Sequence, residues 1–131
     1  MIRHKVLIPK AKPDQVYRAF VSSKEHAEFT GSPAKVNGRV GGKFTAWDGY
    51  ISGKNISLIK GRKIEQEWIT SEFPEGYGPS ILRISFRKKG DGTELTMFQS
   101  KVPASQVKKY DQGWYESYWD PLKEYFEKRS K

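Results

Sequence analysis

The chain of 131 residues contains no cysteine, which excludes disulfides, thiolate nucleophiles and cysteine-based zinc sites together. Aromatic residues make up 14% of it, enough to build one core largely from rings and to exclude a disordered chain. Its 24 Lys and Arg against 15 Asp and Glu leave a net charge of +9, which favours acidic partners; the cations are scattered and no RNP, zinc-finger or P-loop pattern accompanies them, so specific nucleic-acid recognition is set aside.

Ile2, Val6 and Ile8 alternate with Arg3 and Lys5, the pattern of a half-buried strand that Pro9 ends. The run Val6-Leu7-Ile8 is too short for a signal-peptide core or a membrane span, so the chain is read as a cytoplasmic protein. Pro13 then suits the first position of a helix, and Val16, Tyr17, Phe20 and Val21 continue its apolar stripe; Lys12 stands where a side-chain N-cap is favoured and supplies none. Ser22 with Glu25 three residues on opens a second short helix through Phe29, stopped by Gly31-Ser32-Pro33.

From there to about Val102 the text is strand and turn. Six short runs rich in β-branched and aromatic residues are punctuated by Gly41-Gly42, Asp48-Gly49, Gly53, Gly61, Gly76 to Pro79 and Gly90-Asp91-Gly92. Phe44 and Ala46 share a face, as do Ile64, Gln66 and Trp68, then Leu82, Ile84 and Phe86, then Leu95, Met97 and Gln99. Glycines inside strand-like text mark bulges or bends, so a strongly curved antiparallel sheet is expected. A curved sheet needs an element to wrap, and the last segment supplies it. Between Gly113 and Lys128, Trp114, Tyr115, Tyr118, Trp119, Leu122, Tyr125 and Phe126 fall at helical spacing, with Pro121 expected to kink the helix. The expectation is one α+β domain over residues 1–131, a six- to seven-stranded antiparallel sheet around a long C-terminal helix, with two short helices after the first strand.

Specific text accompanies that order: Gly-Gly-Lys-Phe at 41 to 44, Asp48-Gly49, Ser52-Gly53, Gln66-x-Trp68, Gly92-Thr93-Glu94-Leu95-Thr96, Val102-Pro103, and Gly113-Trp114 leading to Trp119-Asp120-Pro121-Leu122-Lys123. From about Lys10 to Phe126 this series resembles the family of homologues of the activator of heat-shock protein 90 ATPase, within the START-like, or SRPBCC, helix-grip superfamily. The resemblance implies a helix-grip fold, a cavity for hydrophobic ligands between sheet and long helix, and a connection to a chaperone ATPase. In the eukaryotic co-chaperone it corresponds to the C-terminal domain.

Two binding readings follow. In the first, Phe44, Gln66, Trp68, Leu82, Ile84, Met97 and Gln99 from the sheet, with Trp114, Tyr118, Trp119 and Leu122 from the helix, line a pocket for a small apolar molecule; a dry core is the plain alternative. Inward Gln66 and Gln99 each need a partner, since an unpaired buried amide costs roughly 1–3 kcal/mol, and a mutual or water-mediated bond is favoured over a ligand. In the second, the basic surface, Trp47, Phe73 and Tyr77 meet an acidic partner such as a chaperone ATPase. Alternation from Phe44 exposes Trp47, whereas a bulge after Gly41-Gly42 or packing against the flanking strand buries it, and both readings stand; the Phe73 to Pro79 loop is a mobile lid, a partner surface or a plain strand connection.

Enzymatic function is the third reading, because superfamily relatives include cyclases and dehydratases. The only histidines, His4 and His26, form no nucleophile or metal-ligand set, and His26 is read as a surface residue. Glu65 and Glu67 share a strand face that points outward, where salt bridges to lysines suit them better than paired acid–base work. No catalytic residue, metal or cofactor is assigned.

Overall fold

Alternate residues of the first strand, β1 (Ile2–Ile8), are buried from Ile2 to Ile8, and the same period of two recurs along the fifth and sixth strands. The structure is a computed structural model that describes residues 1–129. After β1 come helices α1 (Pro13–Val21) and α2 (Ser23–Thr30), then strands β2 (Lys35–Val36), β3 (Lys43–Ala46), β4 (Ile51–Ile59), β5 (Lys63–Thr70), β6 (Ser80–Lys89) and β7 (Gly92–Ser100). The chain closes with helices α3 (Val107–Trp114) and α4 (Asp120–Arg129), joined by a single wide turn, Tyr115–Trp119.

The seven strands form one antiparallel sheet in the order β1-β7-β6-β5-β4-β3-β2, a six-strand meander with β1 added beside β7. Register puts Val6 opposite Leu95, Leu95 opposite Phe86, and Ile84 opposite both Met97 and Ile64, so the buried sets of neighbouring strands coincide on one face. The helices cover that face. Tyr17, Phe20, Phe29, Trp114, Tyr118, Trp119, Leu122 and Phe126 all lie in the same core cluster as the inward strand residues, and each such side chain contributes about 1.5–3 kcal/mol by burial.

Two local features shape the sheet. The β4–β5 register shifts between Asn55 and Ser57, leaving Ile56 as a bulged residue. Gly53 lets the Phe44 ring and β5 close in: a Cβ there would sit 1.9 Å from the Glu67 carbonyl oxygen and 2.8 Å from the Phe44 ring.

The long helix begins at Val107, six residues before the expected Gly113. Val107, Tyr110 and Trp114 continue its inward stripe at i, i+3, i+7, so the pattern extends through the glycine. In place of a kink at Pro121, the helix takes one wider turn just before it, in which the Asp120 N–H donates to the Tyr115 carbonyl five residues back. Proline lacks the donor for the Ser117 carbonyl and its ring crowds that group; one wide turn accommodates both. At the other end of the fold, Lys12 gives α1 no oxygen cap, and Gln15 Oε1 instead accepts the Lys12 backbone N–H at 2.8 Å. Ser22 accepts from the Glu25 N–H at 3.3 Å and caps α2 as its spacing suggests.

Candidate functional site

Where the long helix crosses the ends of β3, β4 and β5, a groove of about 700 Å³ opens to solvent. Trp68 on β5 forms its base, with the Tyr110 ring 5.3 Å away edge-on and Trp114 at 5.6 Å; Tyr118 follows at 4.8 Å from Trp114. Tyr50 and Ile51 at the start of β4 make the facing wall, and Lys109, Gln112, Glu116 and Ser117 stand along the helix side. Apolar residues thus dominate the interior and polar or charged ones the rim, the usual make-up of a binding cleft.

Trp47 closes one end, and it does so in an unusual conformation. Its φ is 52° and that of Asp48 is 56°, consecutive left-handed residues in a tight turn where the Gly49 N–H donates to the Ala46 carbonyl at 3.2 Å. A bulky side chain held there costs on the order of 1–3 kcal/mol, so surrounding packing must impose it. The ring is half-buried, and its Nε1 is buried without a well-formed hydrogen bond, the Tyr118 hydroxyl being the polar group that feels it. Both readings of Trp47 are therefore half right: it leaves the alternation through a turn, and it packs against the core edge while lining an open groove.

Polar groups fix the other end. Tyr110 Oη donates to Gln106 Oε1 at 2.6 Å and takes a hydrogen bond from Thr70 Oγ1 at 2.6 Å, and burial raises its hydroxyl to about 12. Exposed Glu72 accepts from both Tyr50 and Lys109, and the Lys109 bond first, with Tyr50 second, holds its carboxyl below the usual range.

Behind this groove, the inward side chains of sheet and helix leave little space. Phe44, Gln66, Trp68, Leu82, Trp114 and Tyr118 surround a void of only about 10 Å³, together with Phe20 and His26. That is the space of about one water molecule. Ile84, Met97, Gln99, Trp119 and Leu122 are wholly buried and border neither space. Of the eleven residues expected to line a pocket, Trp68, Trp114 and Tyr118 reach the groove.

The side-chain amide nitrogens of the inward glutamines find protein partners, and the two do not pair with each other. Gln66 Nε2 donates to Asn55 Oδ1 at 3.0 Å, and Asn55 Nδ2 passes on to the Asn37 and Arg39 carbonyls. Gln99 Nε2 donates to Ser80 Oγ at 3.1 Å while its Oε1 accepts the Trp114 indole N–H at 2.9 Å. Mutual pairing fails because Leu82 stands opposite both Gln66 and Gln99 in the register, one strand between them.

Other sequence expectations resolve individually. His26 is not a surface residue: it is 5% exposed, with Nε2 3.1 Å from Tyr118 Oη and its ring against Phe20 and Phe29. The i, i+3 spacing of His26 and Phe29 on α2 was the available signal. Desolvation lowers its pKa to about 4, against weaker opposing contributions from the Ala19 and Phe20 backbone. Phe73 also turns inward, onto Trp68 and Tyr110, while Tyr77 remains exposed on the same loop. Glu65 points outward as expected, and its partner is an arginine where lysines were expected, Arg83 at 2.8 Å. Among the described residues no group of three His, Asp or Glu is placed to hold a metal ion, and no helix is long and apolar enough to cross a membrane.

Comparison with known proteins places this architecture. Residues 10–127 match the model of the family described as Activator of Hsp90 ATPase homolog 1-like protein. The human protein Activator of 90 kDa heat shock protein ATPase homolog 1 is 32% identical over 114 residues, which cover 87% of this chain and 33% of that protein. The Dictyostelium discoideum Activator of 90 kDa heat shock protein ATPase homolog is 30% identical over 123 residues, 93% of this chain and 32% of its own length. The chain thus spans about a third of the length of these curated relatives. Among solved structures, an Hsp90 activator from Plasmodium falciparum superposes with a TM-score of 0.83 at 22% identity, covering 93% of this chain and 94% of that one. The Aha1 dimer from Colwellia psychrerythraea does so at 0.75 and 17%, covering 93% and 95%. The fold is the helix grip, and with nearly the whole chain matched by the family model, this protein belongs to the Activator of Hsp90 ATPase homolog 1-like family.

Proposed function

We propose that this chain is a non-enzymatic binding module that meets a chaperone ATPase of the heat-shock protein 90 type through its outer surface. The observation that carries the reading is how little enclosed space the grip holds: behind the open groove, side chains leave about 10 Å³. What the fold offers a partner is therefore its exterior, and the relatives of known name are activators of that ATPase. The excess of cations suits an acidic partner, and the cysteine-free composition agrees with residence in a reducing cytoplasm. Isothermal titration of the purified chain into the Hsp90-type chaperone of its own host tests this, with the steady-state ATPase rate as second readout. Saturable binding that weakens between low and moderate salt supports the proposal; no heat at either ionic strength removes it.

A second reading is favoured by the groove, whose roughly 700 Å³ falls within the range of small-molecule sites and whose base is formed of indole rings. Here a small apolar molecule lies against Trp68 and Trp114. Tryptophan fluorescence in a screen of such compounds decides it, because a bound ring must change the emission of these two indoles; unchanged emission across the screen counts against the site.

A further inference from the structure

The outer face of the sheet, turned away from the helices, holds most of the protein's net charge. Arg3 and Lys5 on β1, Lys54 on β4, Lys63 on β5, and Arg83 and Arg87 on β6 all stand on it. Lys89 at the tip of β6, with Lys35 and Lys43 on the two short strands at the far edge, brings the cations to nine, against three carboxylates, Glu65, Glu67 and Glu94. The helical side is balanced: residues 107–129 carry five cations and five carboxylates, and residues 13–30 carry two and three.

Internal pairing does not neutralise the sheet face. Arg83 holds Glu65, and Arg87 and Lys89 share Glu94. Arg3, Lys5, Lys35, Lys43, Lys54 and Lys63 then remain without an ion-pair partner among the described residues, with Glu67 the one carboxylate left over. Lys43 and Lys54 are directly opposite one another across β3 and β4, an arrangement that repels. A surface built only for solubility intersperses the two signs, as the helical side does. Two exposed aliphatic side chains, Leu7 at 47% and Ile59 at 48%, flank the cations on the same face.

We propose that this outer sheet face is the docking surface, and that its occupant is the acidic surface of a protein partner. The proposal rests on the partner reading above for the identity of that partner. Charge complementarity selects the acid, and the mixture selects protein. Glu65, Glu67 and Glu94 within the patch oppose a continuous phosphate backbone, and the one aromatic ring on the face, Phe98, lies under the Arg3 guanidinium at 5.3 Å and offers no stacking platform for bases. Leu7 and Ile59 match a partner with apolar as well as acidic side chains.

The test compares wild type, a sheet-face variant carrying Lys54→Glu and Lys63→Glu, and a helix-face control carrying Lys108→Glu and Lys123→Glu. Equal melting curves establish that all three are folded. Titrated against the host's Hsp90-type chaperone at low salt, the sheet variant should lose at least about tenfold in affinity and the control less than about twofold, since both remove the same charge. Equal losses, or none in the sheet variant, overturn the proposal. If wild type does not bind the chaperone, the partner reading fails and the face is decided by NMR titration with a 20-residue polyglutamate peptide. Amide shifts confined to the sheet uphold the docking face, and shifts on the helices or loops overturn it. Tighter binding to a 20-base-pair DNA duplex or to phosphatidylserine vesicles than to polyglutamate, at equal salt, overturns the protein occupant.

Discussion

Trp119 donates its indole N–H to His4 Nδ1 at 2.9 Å, tying the long helix to the first strand across 115 positions of sequence. With Nδ1 accepting, the ring proton sits on Nε2 and is donated to Asp111 Oδ1 at 2.7 Å. His4 is 5% exposed and lies 4.4 Å from the Tyr115 ring, so one imidazole joins three residues of the helix to an edge strand. His4→Ala leaves a buried indole N–H unpaired and a hole beside it, and should cost about 2–4 kcal/mol. Asp111 is half-exposed, so Asp111→Asn should cost less than about 1 kcal/mol. Urea unfolding checks both, and a His4→Ala cost near zero would mean that the tie carries no stability.

His26 sets a direction for acid sensitivity. Its pKa is lowered to about 4 in the folded protein, chiefly by burial, against about 6.5 in an unfolded chain. Between those values the unfolded state binds more protons, so stability is fullest above pH 6.5 and is lost as pH falls towards 4. At 1.36 kcal/mol per pKa unit the loss is roughly 3 kcal/mol. Urea midpoints between pH 7.5 and 4 should therefore fall in wild type and fall much less in His26→Gln; parallel curves for the two proteins would show that another group governs the acid limb.

Two glycines make opposite expectations. Gly53→Ala drives a methyl into the Glu67 carbonyl and the Phe44 ring, and should cost about 3 kcal/mol or prevent folding. Gly113 sits inside the long helix with nothing within 4 Å of where an added methyl would stand and no positive φ, so Gly113→Ala should stabilise by about 0.5–1 kcal/mol. Thermal melts of the pair read both signs at once, and a destabilised Gly113→Ala would mean that its place at the groove needs a bare backbone.

Much of this fold can be read from the chain. Period-two burial runs through Ile64, Gln66 and Trp68 as the alternation predicts, because one sheet face is dry and the other wet. Of the helical stripe, Trp114, Tyr118, Trp119, Leu122 and Phe126 are inward for the same reason at helical period, whereas Tyr115 is exposed. Pairwise partners were less legible. Gln66 meets Asn55 through the β4–β5 register, and Gln99 meets Trp114 through the placement of a helix, and neither relation has a local signature. His26 reads as exposed because α2 is short and mostly polar, while its burial comes from Phe20 and Tyr118 outside that helix. The groove is invisible for a related reason. Its walls are ring residues with the same spacing as core, and only the strained turn at Trp47 and the crossing of the long helix leave them open to solvent. The outer charge face, in contrast, lies in plain view once the strands are registered, since scattered lysines become rows when seven strands align.

A filled helix grip that works by its exterior should carry nothing inside it, and native mass spectrometry of the protein purified from its own host reads this without a labelled ligand or a known partner. The expected mass is that of the bare chain, with no organic molecule retained through gel filtration. A stoichiometric adduct of a small apolar compound, released when the protein is denatured, would contradict this and return the function to the groove beneath Trp47.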